Sequence, residues 1–247
     1  MSQKIVVLGA TSKIAQEFAR LAAADRKELL LVGRRAERLA TLAGDLAARG
    51  AARVDCLCAD LADITSHLAL VSDVLTKMPD FDTLLLAYGT LSDQARAEVS
   101  AEYALDEINT NLTSAISLLT RLSTVLEQRR TGCIAVIASV AGDRARRSNY
   151  IYGTAKGALA LFTQGLRAKL LASGVRVLTI KPGPVDTPMT ANLPGRWMFA
   201  NPESVARKIY REIEHGKRDV FYVPSYWRWV MMAIMHIPER IGKQLKF

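Results

Sequence analysis

The chain has 247 residues, half of them apolar, and a formal net charge of +9. That length and apolar content suffice for one filled α/β core, and the positive balance asks for an anionic partner: phosphates, a phosphate-bearing cofactor or a membrane surface. No zinc-finger, basic-zipper or RNP-like pattern accompanies the charge, which excludes the usual nucleic-acid binders; the scattered His67, His215 and His236 match no metal pattern, so no metal is expected; and no apolar run reaches the roughly 18 residues that span a bilayer.

Strand-like sequence opens at Lys4–Leu8, which leaves no room for a secretory leader and makes a cytoplasmic location the expectation. The run turns at Gly9-Ala10-Thr11-Ser12-Lys13-Ile14-Ala15 into a helix over 14–24. Small residues at Gly9, Thr11 and Ser12 let backbone approach a pyrophosphate, and the amides at Lys13 and Ile14 offer the positive end of the helix. Only the first glycine of a full dinucleotide fingerprint is present, so this turn alone reads equally as an ordinary strand–helix connection.

The second strand, 28–32, runs into Val32-Gly33-Arg34-Arg35 and a helix over 36–49. An acid at this point suits the ribose of NAD; an arginine suits the 2′-phosphate of NADP. Arg34 is the first candidate for that phosphate, with Lys13 as a helper across the pocket, so NADP(H) is favoured and NAD(H) stays open. A third strand, Arg53–Cys58, leads to Asp60-Leu61, where the carboxylate either accepts from an adenine amine or caps the next helix. Cys56, Cys58 and Cys133 all fall in strand-like runs and read as buried thiols of a reducing compartment.

A fourth strand, 83–87, ends at Tyr88-Gly89, and a long helix over 107–127 carries Asn111, with Asn109 as a rival. A fifth strand, 133–138, ends at Ser139. A helix over 150–171 then places Tyr152 and Lys156 four residues apart, on one face. An ammonium beside a phenol favours the phenolate and is expected to bring the tyrosine down toward neutrality, where it can exchange a proton with a substrate oxygen. Tyr150 lacks a lysine at that spacing. Between serine and tyrosine lie Arg144, Arg146 and Arg147, of which at least one is expected to meet a substrate phosphate. A sixth strand, 175–181, leads to Pro182-Gly183-Pro184-Val185-Asp186-Thr187. The tail, 217–247, carries six Lys/Arg against two acids, and its segment from Trp227 to Ile237 suits a helix lying in a membrane interface, a lid over the site or a subunit contact.

Strands alternating with helices, and strands that are apolar throughout, predict a single α/β domain over residues 1–247: a doubly wound, Rossmann-type parallel sheet with helices on both faces and a short amphipathic C-terminal appendage. Gly9-Ala10-Thr11-Ser12, Asp60-Leu61, Asn111, Ser139, the Tyr152 and Lys156 pair and the segment from Lys181 to Thr187 resemble the short-chain dehydrogenase/reductase superfamily in kind and order, and Ser139 stands the family's thirteen residues before Tyr152. The resemblance implies a keto reductase. Ser139 would donate to the carbonyl oxygen and Tyr152 would supply the proton. Lys156 would hold the tyrosine and the nicotinamide ribose, and Asn111 would position a relaying water. Pro182, Gly183, Val185 and Thr187 would shape the nicotinamide pocket. It also implies a homo-oligomer paired through the two long helices. Where the family has Asn-Asn-Ala-Gly, this chain has Leu86-Ala87-Tyr88-Gly89, with only Gly89 kept.

The segment from Ser139 to Asn149 and the tail from Val230 to Pro238 also resemble the decaprenylphosphoryl-2-keto-ribose reductases. That likeness implies a 2-keto-pentose on a polyprenyl phosphate, a flavin-dependent oxidase partner and peripheral contact with a membrane. Two alternatives stand beside it: a general carbonyl or 3-oxoacyl reductase with a soluble substrate, and a catalytically quiet dinucleotide-binding subunit of a membrane complex.

Overall fold

A computed structural model describes residues 3–193 and 195–244; the last three residues of the tail lie outside them. Seven strands form one parallel sheet in the order β3-β2-β1-β4-β5-β6-β7. They are β1 (Lys4–Leu8), β2 (Glu28–Gly33), β3 (Arg53–Cys58), β4 (Thr83–Leu86), β5 (Cys133–Ile137), β6 (Arg176–Pro182) and β7 (Val220–Val223). The helices are α1 (Lys13–Ala24), α2 (Ala36–Ala48), α3 (His67–Lys77), α4 (Gln94–Val99), α5 (Ala101–Ile108), α6 (Ser114–Arg129), α7 (Tyr150–Leu170), α8 (Pro202–His215), α9 (Trp227–Met235) and α10 (Glu239–Gly242).

The central strands are apolar on both faces because helices cover both. Ile5 and Val7 point into a core shared with α1, α2 and α8; Val6 and Leu8 point into a second core shared with α3, α6 and α7. The strand order reverses between β1 and β4, which opens a crevice beyond their carboxyl ends.

Three elements differ from the sequence expectation. The helix expected over 107–127 is two helices, α5 and α6, joined by a single π-helical turn over Asn109–Thr113. Periodicity cannot show one inserted residue, and such turns mark functional sites more often than chance. The tail begins inside the sheet: β7 pairs with β6, and only from α9 onward does the chain stand outside it. Four residues are too short a run to stand out as a strand in sequence. Cys133 is buried, but Cys58 is exposed, because β3 is an edge strand whose last residue meets solvent.

Helix α8 has clear local causes that the sequence reading passed over. Asn201 caps it, accepting from the amides of Glu203 (2.8 Å) and Ser204 (3.2 Å), and Pro202 occupies its first turn. Its Tyr210 ring packs edge-on against Phe18 of α1 at 5.5 Å. No described helix is long and apolar enough to cross a membrane, and no three His, Cys, Asp or Glu among the described residues are placed to hold a metal.

Candidate active site

The carboxyl ends of the sheet open onto a cavity of about 400 Å³. The turn from β1 into α1 forms one wall, with Gly9, Thr11, Ser12, Lys13 and Ile14. Gly9 has φ +84°, and a Cβ there would stand 2.7 Å from the backbone nitrogen of Tyr88, so this close approach of two strand ends admits only glycine. The Ser12 hydroxyl accepts from Ala15 N at 3.3 Å and caps α1. The first-turn amides of the helix have no carbonyl behind them and lie at its positive end. A tight glycine turn feeding a helix N-terminus fits the pyrophosphate of a dinucleotide.

Arg34 lies on the same cavity wall beyond β2, and Arg38, in the first turn of α2, lies with it. The sequence reading missed Arg38, and no local signal singles it out, because Arg34 precedes the helix and shares no helical face with it. Lys13 differs from its expected role as a helper for a 2′-phosphate. It reaches the cavity, but its ammonium is paired with Glu17 at 2.6 Å. Asp60 and Leu61 line the cavity past β3, while Asp60 also accepts from Ala62 N at 3.0 Å, so the carboxylate shapes its own turn.

The opposite end holds Ser139, Tyr152 and Lys156, with Pro182, Gly183, Val185 and Thr187 from the segment after β6. Ser139 starts a short 3₁₀ turn, Val140–Gly142, which lies directly on α7. A Cβ on Gly153 would stand 2.8 Å from the Ala141 carbonyl, and one on Gly157 2.7 Å from the Gly142 carbonyl. These glycines let the turn sink onto the helix and bring serine to tyrosine. Tyr150 faces largely away, exposed at the helix start, whereas Tyr152 lines the cavity.

Lys156 is buried, donates to the Ile137 carbonyl at 3.2 Å, and stands 5.9 Å from the Tyr152 ring centre. Burial pushes its ammonium down to about 8. The direction at Tyr152 reverses the sequence expectation. Burial raises the phenol above its ordinary value, and the Ser139 hydroxyl and the Arg146 charge only partly offset it. A lysine whose own charge is weakened by burial does not overcome that desolvation.

Of the catalytic and cofactor-binding residues expected from sequence, Asn111 alone does not line the cavity; it stands behind Gly89, which does. A Cβ on Gly89 would lie 2.6 Å from Asn111 Oδ1 and 3.1 Å from Lys156 Nζ, so the glycine is the gap through which amide and ammonium face each other. Asn111 Oδ1 accepts from Thr90 N at 3.1 Å, and its Nδ2 donates to Thr90 Oγ1 at 3.1 Å and to the Glu107 carbonyl at 3.0 Å. The Glu107 carboxylate accepts from the hydroxyls of Thr90 (2.8 Å) and Ser92 (2.9 Å). This buried network fixes which side of the amide faces Lys156. Asn109, the rival, is spent elsewhere: its Nδ2 donates to the Ala62 carbonyl at 2.9 Å.

The tail reaches this end too. A Cβ on Gly183 would collide with the Trp227 indole, so α9 backs the wall expected to meet the nicotinamide. Asp143 ties β6 and β7 to the turn after Ser139: it is ion-paired with Lys181 and accepts from the Tyr222 hydroxyl at 2.8 Å. Nothing local in the sequence announces Tyr222 here, and for Trp227 a lid over the site is one of three readings open to the tail.

The profile of a family described as short chain dehydrogenase matches residues 3–196. An uncharacterised oxidoreductase of Mycobacterium tuberculosis is 36% identical over 241 residues, covering 98% of this chain and 96% of that protein. An uncharacterised oxidoreductase of Streptomyces coelicolor is 35% identical over 244 residues, covering 98% and 96%. Sulfoacetaldehyde reductase 2 of Chromohalobacter salexigens is 30% identical over 192 residues, covering 77% and 75%. Among solved structures, a variant of actinorhodin polyketide ketoreductase with NADPH superposes with a TM-score of 0.82 at 25% identity, covering 92% of this chain and 97% of that one.

Proposed function

This chain belongs to the short chain dehydrogenase family and is an NAD(P)-dependent oxidoreductase, and from that premise we propose that it reduces a keto group with Tyr152 as proton donor. The observation that carries the reading is that Ser139, Tyr152 and Lys156 share one cavity with the glycine turn of α1. The bound dinucleotide supplies the hydride. Ser139 donates a hydrogen bond to the substrate oxygen as negative charge gathers there. Tyr152 gives that oxygen its proton. Lys156 stabilises the phenolate left behind, and Asn111, held by Thr90 and Glu107, orients the route by which the proton is replaced. The test is to bind NADPH and NADH to the purified protein, add ketones and follow loss of the reduced-nicotinamide absorbance. Binding without oxidation on any ketone would overturn the reading.

NADP(H) is the proposed cofactor, because Arg34 and Arg38 stand beyond β2 where an acid would serve NAD. Arg34→Ala is expected to weaken NADPH binding about 10- to 100-fold, the range of a lost charge-assisted bond, and to leave NADH nearly unchanged. Equal losses for both nucleotides would remove Arg34 from 2′-phosphate recognition.

The proposed substrate is a 2-keto-pentose on a polyprenyl phosphate. Support comes from the likeness of segment 139–149 and of the tail to reductases of that substrate, and from the outer face of α9. That helix turns Trp227, Met231 and Ile234 toward the protein, yet Trp229 (63%), Met232 (45%) and Met235 (44%) are exposed. Arg228, on the same helix, and Arg240, on α10, are exposed as well, and exposed bases near such a face suit an anionic bilayer surface. Since Trp227 packs on Gly183, deleting the tail would disturb the site itself; Trp229→Ser with Met232→Ser is the cleaner change. It is expected to lower binding to phosphatidylglycerol vesicles about tenfold or more, given the apolar area removed. Unchanged vesicle binding would reject the membrane contact. A soluble carbonyl compound, aldehyde or ketone, is the second reading, favoured by the relatives named for sulfoacetaldehyde and for polyketide reduction.

A further inference from the structure

Three arginines stand between Ser139 and α7, and the fold treats each differently. Arg144 is turned onto the end of α9, where it donates to the carbonyls of Ile234 (3.1 Å) and Met235 (3.2 Å) and pairs with Glu239 at 3.0 Å. It is a clamp on the tail, not the substrate contact open to it in sequence. Arg147 is exposed. Arg146 lies on the cavity wall with Ser139 and Tyr152, half-buried, and among the described residues no carboxylate pairs with it.

A guanidinium drawn from water without a counter-charge costs stability, and a cavity is where a ligand can supply that charge. We propose that Arg146 anchors an anionic substituent of the substrate, a phosphate, sulfonate or carboxylate carried close to the reacting carbonyl. The proposal rests on the reductase reading above and adds the substrate's charge to it. The cofactor does not meet this demand: its phosphates belong to the turn after β1 and to Arg34 and Arg38 beyond β2, whereas Arg146 follows β5 on the far side of β1 and β4.

The test is calorimetric binding to the protein saturated with NADP+, which fills the cofactor site without supplying a hydride, so the keto probes bind and are not consumed. The probes are a phosphorylated hydroxy-ketone, the same hydroxy-ketone without phosphate, and a short-chain prenyl phosphodiester of a 2-keto-pentose. The wild type is expected to bind at least one anionic probe about tenfold or more tighter than the neutral ketone. Arg146→Met should abolish that preference while leaving the neutral ketone and NADP+ unchanged. Arg146→Lys should keep part of it, because the charge remains without the fork, and Arg147→Met should keep all of it. Preference for the prenylated probe marks a lipid-linked source; preference for the monoester marks a soluble one. No preference for either anion in the wild type, or a preference that survives Arg146→Met, would overturn the proposal. Because the readout is binding, anion preference without turnover would count against the reductase reading alone.

Discussion

Replacing Tyr152 with phenylalanine is expected to lower kcat/KM for ketone reduction by about two to four orders of magnitude, the range for removing a positioned proton donor. The change deletes one oxygen and keeps the ring, so the contact between the Val140–Gly142 turn and α7, made by glycines and backbone, stays intact. NADPH affinity should therefore move by no more than about threefold, which separates a lost chemical group from a lost fold. The pH profile carries a second signature. Burial holds the phenol above its ordinary value, so the donor form persists through neutral and mildly alkaline pH, and reduction declines only as Tyr152 ionises. Near-normal turnover in the phenylalanine variant would remove Tyr152 from the mechanism.

Lys156→Met is expected to be nearly inactive and more stable. Lys156 is only 3% exposed, and burial brings its ammonium from 10.5 to about 8. Between those values the folded chain has released a proton that the unfolded chain still holds, so stability rises with pH across that window. Below pH 8 the free enzyme carries the whole cost of burying a charge, roughly 3 kcal/mol at 1.36 kcal/mol per pH unit. Methionine fills similar space without the charge. The variant should thus gain up to roughly 3 kcal/mol at pH 7, or roughly 5–10 °C in Tm, and lose the wild type's added stability between pH 8 and 10.5. Activity should fall about a hundredfold or more, since the phenolate formed in turnover loses its counter-charge. A variant less stable than wild type at pH 7, or a wild-type curve parallel to it from pH 8 to 10.5, would contradict this account. Such a lysine shows stability given up at a site where the reaction needs charge.

The two sides of the site differ in how they hold their polar groups. Asn111 is fixed by Thr90 and Glu107 inside the protein, with its hydrogen-bonding capacity met by neighbours. Arg146 and the Asn149 side-chain oxygen Oδ1, which is buried without a hydrogen-bond partner, are not so matched. On the proposed reading, the proton route is built ahead of substrate, and the wall at Arg146 is left for the substrate to complete.

Features carried by neighbouring residues were legible in the sequence. The runs Ile5-Val6-Val7-Leu8 and Leu29-Leu30-Leu31-Val32, short and bounded by turn residues, fit strands buried on both faces, and the four-residue step from Tyr152 to Lys156 puts both on one face of a helix. Gly9 and Arg34 were legible because each sits where a strand must end. The tertiary structure alone decided the rest: that Gly89 lets Asn111 face Lys156, that Trp227 backs Gly183, and that Arg144 serves the tail while Arg146 stays in the cavity. It also decided the direction at Tyr152. Spacing along a helix tells which charge is near, but the water excluded by packing sets what that charge is worth, and packing is a sum over residues distant in the chain.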